Sequence, residues 1–155
     1  MRPSLRFQLD DLSGEEVRAL VREHVARMHQ HSPPESVHAF DVDALRRPEV
    51  RFWSVWSGNE LAGCGALADI GRGRGELKSM RVPDAYLGRG VGRAILEHLI
   101  ADARARGLRS LWLETGSADA FLPARKLYES AGFRLTGPFD GYVDDPYSLF
   151  MTLEL

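Results

Sequence analysis

The segment Gly-Arg-Gly-Val-Gly at residues 88–92 is placed where it could hold a phosphate group. It follows a strand-like segment, residues 76–82, and stands at the start of a long segment with the pattern of an amphipathic helix. The first turn of a helix offers up to four unpaired N–H groups and a partial charge of about +0.5, and glycines let a ligand come close to them. Arg89 and Arg93 add positive charge at the same end. The segment therefore indicates either a phosphate cradle or a plain turn between a strand and a helix.

Two well-known phosphate loops are excluded by residue identity. A P-loop requires a Gly-Lys-Ser/Thr ending, and no lysine lies in or next to this segment. A dinucleotide fingerprint requires a third glycine, but that position is Ile95 or Arg93, depending on which glycine is counted first.

Two other positions carry side chains that could react with or bind a substrate. Glu76 opens a strand that is otherwise expected to enter the core, so it is either a functional carboxylate or a solvated strand end. Glu114 and Thr115 end a strand at the carboxyl edge of a parallel pair, where such sheets usually bind ligands. They could bind a cationic substrate, and a role in a turn or helix cap is the alternative.

The histidines do not predict a metal site. His29, His31 and His38 lie at a helix end and in a proline-rich loop, without Cys or carboxylate partners at metal-ligand spacing. We expect no metal. His38 is either a residue of a substrate pocket or ordinary loop surface. Cys64, between two glycines, is expected to be a small buried hydrophobe.

The first half of the chain predicts a strand, a helix and a run of hairpins. Residues 5–9 alternate as a half-buried strand does, and Ser13 with Glu16 resembles a capping box that starts a helix ending before Pro33. A short helical turn is predicted at 41–47, followed by two strands around the turn at 57–60. A third strand, residues 76–82, follows the glycine-rich turn at 71–75.

The second half predicts one β-α-β unit and a closing pair of strands. The helix after residue 90 is closed by Gly107, and the next strand, residues 108–115, should lie parallel to 76–82. A helix over 118–131 follows, then two strands around a turn near 144–146. This order of strands and helices predicts an α/β fold with a mixed, largely antiparallel sheet, helices on both faces and one central β-α-β unit. We expect one domain over residues 1–155.

Composition limits the cellular setting and the partners. The 155 residues are 44% hydrophobic and 27% charged, with a formal net charge of −2. This balance argues against nucleic acid as a partner. No apolar run approaches the roughly 20 residues of a membrane span, so we expect no membrane partner and a cytoplasmic location. A homodimer is left open.

Two motifs together resemble the GNAT N-acetyltransferase superfamily. Residues 87–92 are similar to the family's acetyl-CoA signature, Gln/Arg-x-x-Gly-x-Gly/Ala. The segment ARKLYESAGF, residues 124–133, resembles the downstream Ala-x-x-Leu-Tyr-x-x-x-Gly-Phe. The chain departs from the pattern at Leu87, which stands in place of Gln/Arg, and at Phe121, which stands where an Asn is frequent.

The resemblance implies a GNAT-like domain in which acetyl-CoA is the co-substrate and the acetyl group passes directly to a primary amine of a small molecule or peptide. The pyrophosphate would sit on the glycine segment, and the pantetheine arm would pair with the backbone of 80–82, as an added strand pairs with a sheet edge. The implied cofactor contacts are Met80, Arg81, Val82, Leu87, Gly88, Arg89, Gly90, Val91, Gly92 and Arg93.

The resemblance also assigns chemical roles. An alkylammonium with a pKa near 10.4 is neutral in about one molecule in 2,500 at pH 7, so a base or a water relay helps. Glu76 falls where some family members carry a catalytic glutamate. Tyr128 occupies the position of the family's general-acid tyrosine, which protonates the departing thiolate. Glu114, Thr115 and His38 are the candidates for binding the acceptor.

Two other functions fit the same residues. The chain could be a non-catalytic acyl-CoA-binding sensor or regulatory module, in which case it would bind CoA without transferring acetyl groups. It could also use the glycine turn for a different nucleotide, in which case it would bind ATP or NAD and not CoA.

Overall fold

The computed structural model describes residues 3–155 as one seven-stranded sheet with four α-helices. The strands are β1 (Arg6–Leu9), β2 (Val50–Ser57), β3 (Glu60–Gly71), β4 (Arg74–Arg81), β5 (Ser110–Gly116), β6 (Arg134–Thr136) and β7 (Ser148–Glu154). The helices are α1 (Glu15–His31), α2 (Val42–Leu45), α3 (Val91–Ala105) and α4 (Leu122–Ser130). Among these residues no helix combines the length and the apolar character needed to cross a membrane.

The sheet has the order β1-β2-β3-β4-β5-β7-β6. Every neighbouring pair is antiparallel except β4 and β5, which are parallel and joined through α3. The predicted mixed, largely antiparallel sheet with one central β-α-β unit is confirmed. The hairpin turns at 57–60 and 71–75 are also where they were predicted, with Gly58 and Gly71 at positive φ.

Helices cover both faces of the sheet because β3 presents different residue types to its two sides. Gly63 and Gly65 face α3 so closely that an added Cβ would lie 2.7 and 2.8 Å from side-chain atoms of Ile95. On the opposite side, Cys64 and Ala66 pack with α1 and α2. Cys64 is fully buried, as expected.

The start of α1 differs from the prediction. Gly14, not Ser13, is the N-cap residue, and it makes no side-chain capping bond. The Ser13 hydroxyl instead donates a hydrogen bond to Asp11 Oδ1 at 2.6 Å. Because Asp11 engages this hydroxyl in the preceding turn, the expected capping box does not form.

The parallel pair β4 and β5 separates after a short stretch. Arg74–Glu76 pairs with Ser110–Trp112, and the pairing ends there. Further along β4, the register with β3 shifts and Ser79 has a φ of +56°, a left-handed conformation that is rare for a residue with a side chain. The bulge turns the end of β4 away, and a gap opens between the two strands on the side where both end.

The end of the chain is less regular than predicted. The two closing strands, β6 and β7, pair antiparallel, and residues 137–147 form a long connection between them. It ends in the turn predicted near 144–146, where the Ser148 N–H donates to the Asp145 carbonyl at 3.0 Å. Aromatic side chains of this connection, Phe139 and Tyr142, pack against Trp112 and Phe150 of the sheet. This packing holds the connection over the face that also carries α1.

Candidate active site

The glycine segment forms the open amino end of α3. Gly90 is the N-cap, with a φ of +82°, and Gly88 has a φ of +74°. The first amide bonded within the helix is that of Ala94, which donates to the Gly90 carbonyl at 3.1 Å. The N–H groups of residues 91–93 therefore have no intrahelical acceptor, and no acidic residue stands in this first turn. The end is suited to an anion.

Other residues predicted to touch the cofactor surround this end in different ways. Leu87 is 59% exposed. The Arg89 guanidinium lies 4.7 Å from the centre of the Tyr86 ring, and Arg93 donates to Ser130 Oγ at 2.8 Å. Both arginines are thus next to the cradle but engaged with neighbouring side chains.

Residues 80–82, at the end of β4 and directly after it, are the backbone predicted to pair with the pantetheine arm. This backbone lies beside the amino end of α3. Met80 lines the pocket that lies between β4 and β5. The Arg81 guanidinium donates to Glu23 of α1 at 3.2 Å, and Val82 packs into the core. An added Cβ on Gly92 would lie 3.4 Å from Leu127 of α4 and 3.8 Å from Val82. Both distances are ordinary van der Waals contacts, so α3 starts in direct packing with both elements.

The main pocket occupies the gap between the diverging strands. Both strands line it, together with α1, the segment before α2, and α4. Tyr128 contributes to this lining from α4 and is half-buried, and burial raises the pKa of its phenol to about 12. The phenol is thus protonated at neutral pH and could act as an acid.

Glu76 is a buried carboxylate in a charged network. Its Oε2 accepts hydrogen bonds from Tyr142 Oη at 2.7 Å and from Lys78 Nζ at 3.3 Å. Lys78 also donates to the His38 carbonyl and to Tyr142 Oη, and its ammonium lies 4.1 Å from the centre of the Phe40 ring. Burial and the nearby Glu76 charge raise the pKa of Tyr142 far above its ordinary value. The interpretation of Glu76 as a solvated strand end is therefore wrong.

The predicted acceptor-binding residues lie together at the other wall of the pocket. His38 Nδ1 lies 2.7 Å from Glu114 Oε2, and Ser148 Oγ donates to the same oxygen at 2.8 Å. Thr115 lines the same pocket from β5. The structure thus brings Glu76, Tyr128, Glu114, Thr115 and His38 to one pocket, although they are far apart in sequence.

Sequence reasoning missed several residues of this site. Lys78 could have been found, because a lysine two residues from Glu76 in a strand shares its face. Tyr142, Ser148 and His24 carried no sequence signal. His24 of α1 is buried in the pocket wall, and burial with the nearby Arg81 and Lys78 charges lowers its pKa to about 4, so its imidazole is neutral at pH 7.

Within residues 3–155, no group of three or more His, Cys, Asp or Glu side chains is arranged to hold a metal ion.

Comparison with known proteins defines the class. The model of the acetyltransferase (GNAT) family matches residues 16–133. The chain is 50% identical over 151 residues to the uncharacterised N-acetyltransferase YsnE of Bacillus subtilis, covering 97% of this chain and all of that one.

Solved structures agree in fold. A Klebsiella pneumoniae protein described as an acyl-CoA N-acyltransferase superposes with a TM-score of 0.80 at 26% identity, covering 97% of each chain. A Bacillus subtilis acetyltransferase in complex with CoA superposes with a TM-score of 0.73 at 19% identity, covering 98% of this chain and 99% of that one.

The chain belongs to the GNAT acetyltransferase family. It is an acetyl-CoA-dependent acyltransferase, which confirms the family resemblance and the α/β fold predicted from the sequence.

Proposed function

We propose that this enzyme transfers the acetyl group of acetyl-CoA directly to a primary amine of a small molecule or peptide. The observation that carries the proposal is the gap between β4 and β5. The end of β4 leads from this gap to Val82, against which the amino end of α3 packs, and the walls of the gap include Tyr128, the buried Glu76 and the half-buried Glu114.

The cofactor would lie along the end of β4. Its amide groups would pair with the backbone of residues 80–82 on the side from which β5 has separated, and its pyrophosphate would accept hydrogen bonds from the N–H groups of 88–93. Leu87 contributes no charge, so Arg89 and Arg93 would exchange their present partners for phosphate oxygens. The backbone of β4 next to the bulge could polarise the thioester carbonyl.

The charge of the pocket favours an acceptor that arrives as a cation. Glu76, Glu114 and Asp145 lie around the pocket, whereas the Lys78 ammonium is already satisfied by Glu76, Tyr142 and a carbonyl. A protonated amine entering here would meet carboxylates on both walls. With Thr115 and His38, Glu114 forms the wall that we propose selects the acceptor.

Tyr128 is the proposed acid. When the tetrahedral intermediate collapses, the carbon–sulfur bond breaks and the thiolate leaves, and a protonated phenol at the pocket wall could give it a proton.

The sequence predicts Glu76 as the base that removes the proton from the acceptor ammonium, and this role stays a prediction. Its Oε2 is engaged with a cation and a phenol, and its Oε1 has no hydrogen-bond partner within residues 3–155. We propose that it attracts and orients the ammonium, and a different proton acceptor is argued below.

The Gly90→Glu variant tests the phosphate cradle. Adding a side chain at a φ of +82° costs about 1–2 kcal/mol of stability. A carboxylate 4–5 Å from a phosphate costs roughly 3–4 kcal/mol in binding at an effective dielectric constant of about 20, so the affinity for CoA should fall more than about 100-fold.

Gly58→Glu is the matched control. Gly58 also has a positive φ, +59°, and open space around it, but it lies in the β2–β3 hairpin turn. Titration calorimetry should show full CoA affinity for Gly58→Glu and an affinity more than about 100-fold weaker for Gly90→Glu. Equal CoA affinity of the two variants would refute the phosphate cradle. Tight binding of ATP or NAD by the wild type without binding of CoA would favour the nucleotide-binding alternative. Binding of CoA without acetylation of any amine would favour the sensor or regulatory module.

A further inference from the structure

His38 and Glu114 form a tight pair at the pocket wall opposite Glu76. The Nδ1 to Oε2 distance is 2.7 Å, and the two side chains are 37% and 13% exposed. Ser148 Oγ donates to the same Glu114 oxygen, which fixes the carboxylate in turn. A histidine oriented by a held carboxylate is an arrangement found in proton-transfer sites.

His38 is held from three directions although it lies in a loop, twice through its ring and once through its backbone carbonyl. Lys78 Nζ binds the His38 carbonyl at 3.2 Å, Glu114 binds the ring nitrogen, and the Tyr142 ring packs edge-on with centroids 5.2 Å apart. The ring is therefore set in position before any substrate arrives.

The free atom of this pair is His38 Nε2. When Nδ1–H donates to Glu114, the lone pair of the neutral ring is on Nε2. Nε2 has no hydrogen-bond partner within residues 3–155, and the ring lines the same pocket as Tyr128. Histidine is also the side chain whose ordinary pKa is closest to neutral, which suits it to accept a proton and release it again.

We propose that His38 Nε2 takes the proton of the acceptor ammonium and that Glu114 is its positioning residue. This inference rests on the proposed function and deepens it. Glu114 holds the ring in the required tautomer and stabilises the imidazolium that forms.

The protons balance as follows. The ammonium gives its first proton to Nε2, which later passes it to solvent. The neutral amine then forms the N–C bond with the thioester carbonyl carbon, and collapse breaks the C–S bond. The nitrogen loses a second proton to solvent, which matches the proton that Tyr128 gives to sulfur and regains.

The charged and titratable groups around the ring support this step. Glu114 faces it from β5, Asp145 lies in the connection bonded to Ser36, and Tyr142 packs on the ring. The Lys78 ammonium donates to the backbone carbonyl of His38, and it also donates to the Glu76 carboxylate. The positive charge formed on the ring thus has carboxylates on several sides.

Kinetics on a panel of alkylamines and short peptides test the step. With the amine that is acetylated, wild-type kcat/KM should level off at a pH well below the pKa of the amine. His38→Asn needs the free amine, so its kcat/KM should be about 100-fold lower at pH 7 and keep rising towards the pKa of the amine, near 10.4. Glu114→Gln should lose about tenfold, and the matched control His29→Asn, an exposed histidine at the end of α1, should match the wild type.

Long-range ¹H–¹⁵N spectra of the free enzyme give a readout independent of the acceptor. Neutral His38 should be the Nδ1–H tautomer in the wild type and lose that preference in Glu114→Gln. An Nε2–H tautomer in the wild type overturns the proposal, as does a plateau that survives in His38→Asn and disappears in Glu76→Gln. Absence of turnover in the wild type with every amine would refute the proposed function instead.

Discussion

Removing the cation of the buried Glu76–Lys78 pair should be costly. The two side chains are 6% and 7% exposed, and Nζ lies 3.3 Å from Oε2. Lys78→Met would leave the Glu76 carboxylate buried with the Tyr142 hydroxyl as its remaining donor among the residues described. Breaking a buried pair on one side costs about 3–5 kcal/mol, and we expect this loss of unfolding free energy.

The double variant Glu76→Met with Lys78→Met separates charge burial from packing. It removes both charges and leaves the Tyr142 hydroxyl without its two partners, which costs about 1–3 kcal/mol. The double variant should therefore be more stable than Lys78→Met alone, by roughly 2 kcal/mol. A double variant more stable than Lys78→Met alone would show that the uncompensated Glu76 charge, and not lost packing, causes most of the loss.

Urea unfolding followed by tryptophan fluorescence provides the assay, since the chain has three tryptophans and Trp112 lies at the edge of this network. As a control, Arg22→Met breaks an ion pair with Glu15 whose side chains are 58% and 77% exposed, and it should cost less than about 0.5 kcal/mol. A loss below about 1 kcal/mol for Lys78→Met would refute the reasoning, because the pair could not then be both buried and charged.

Two further predictions concern Tyr128 and Cys64. Tyr128→Phe should lower kcat about 100-fold and leave the CoA dissociation constant unchanged. If the variant has the same kcat as the wild type in stopped assays, Tyr128 is not the acid. Burial raises the pKa of the Cys64 thiol to about 12, so an aromatic disulfide reagent at pH 8 should label it only after urea is added. Rapid labelling of the native enzyme would show that the cysteine is accessible.

The fold could be predicted from sequence because its signals are local. The alternation of strands, the glycines at hairpin turns and the amphipathic pattern after Gly90 each depend on near neighbours in the chain. The error at Ser13 has the same origin, since Asp11 competes for a hydroxyl that the pattern assigns to the helix. Gly14 begins the helix instead.

The site could be predicted only in part because its residues meet through tertiary packing. Glu76 and Tyr128 were found through their positions in the family pattern, but Tyr142 reaches Glu76 only because residues 137–147 fold over the sheet. The bulge at Ser79, which opens the pocket, depends on the register between β3 and β4. No periodicity in the sequence reports that register.

The proposal of direct acetyl transfer to an amine is tested most directly by product stoichiometry. The purified enzyme is incubated with acetyl-CoA and each amine of the panel, and free CoA thiol and N-acetylated amine are measured in the same sample. We predict that one acetylated amine forms for each thiol released, and that the enzyme alone gains no acetyl group by mass spectrometry. Thiol release without an acetylated amine, or an acetyl group carried on the enzyme as an intermediate, would contradict direct transfer.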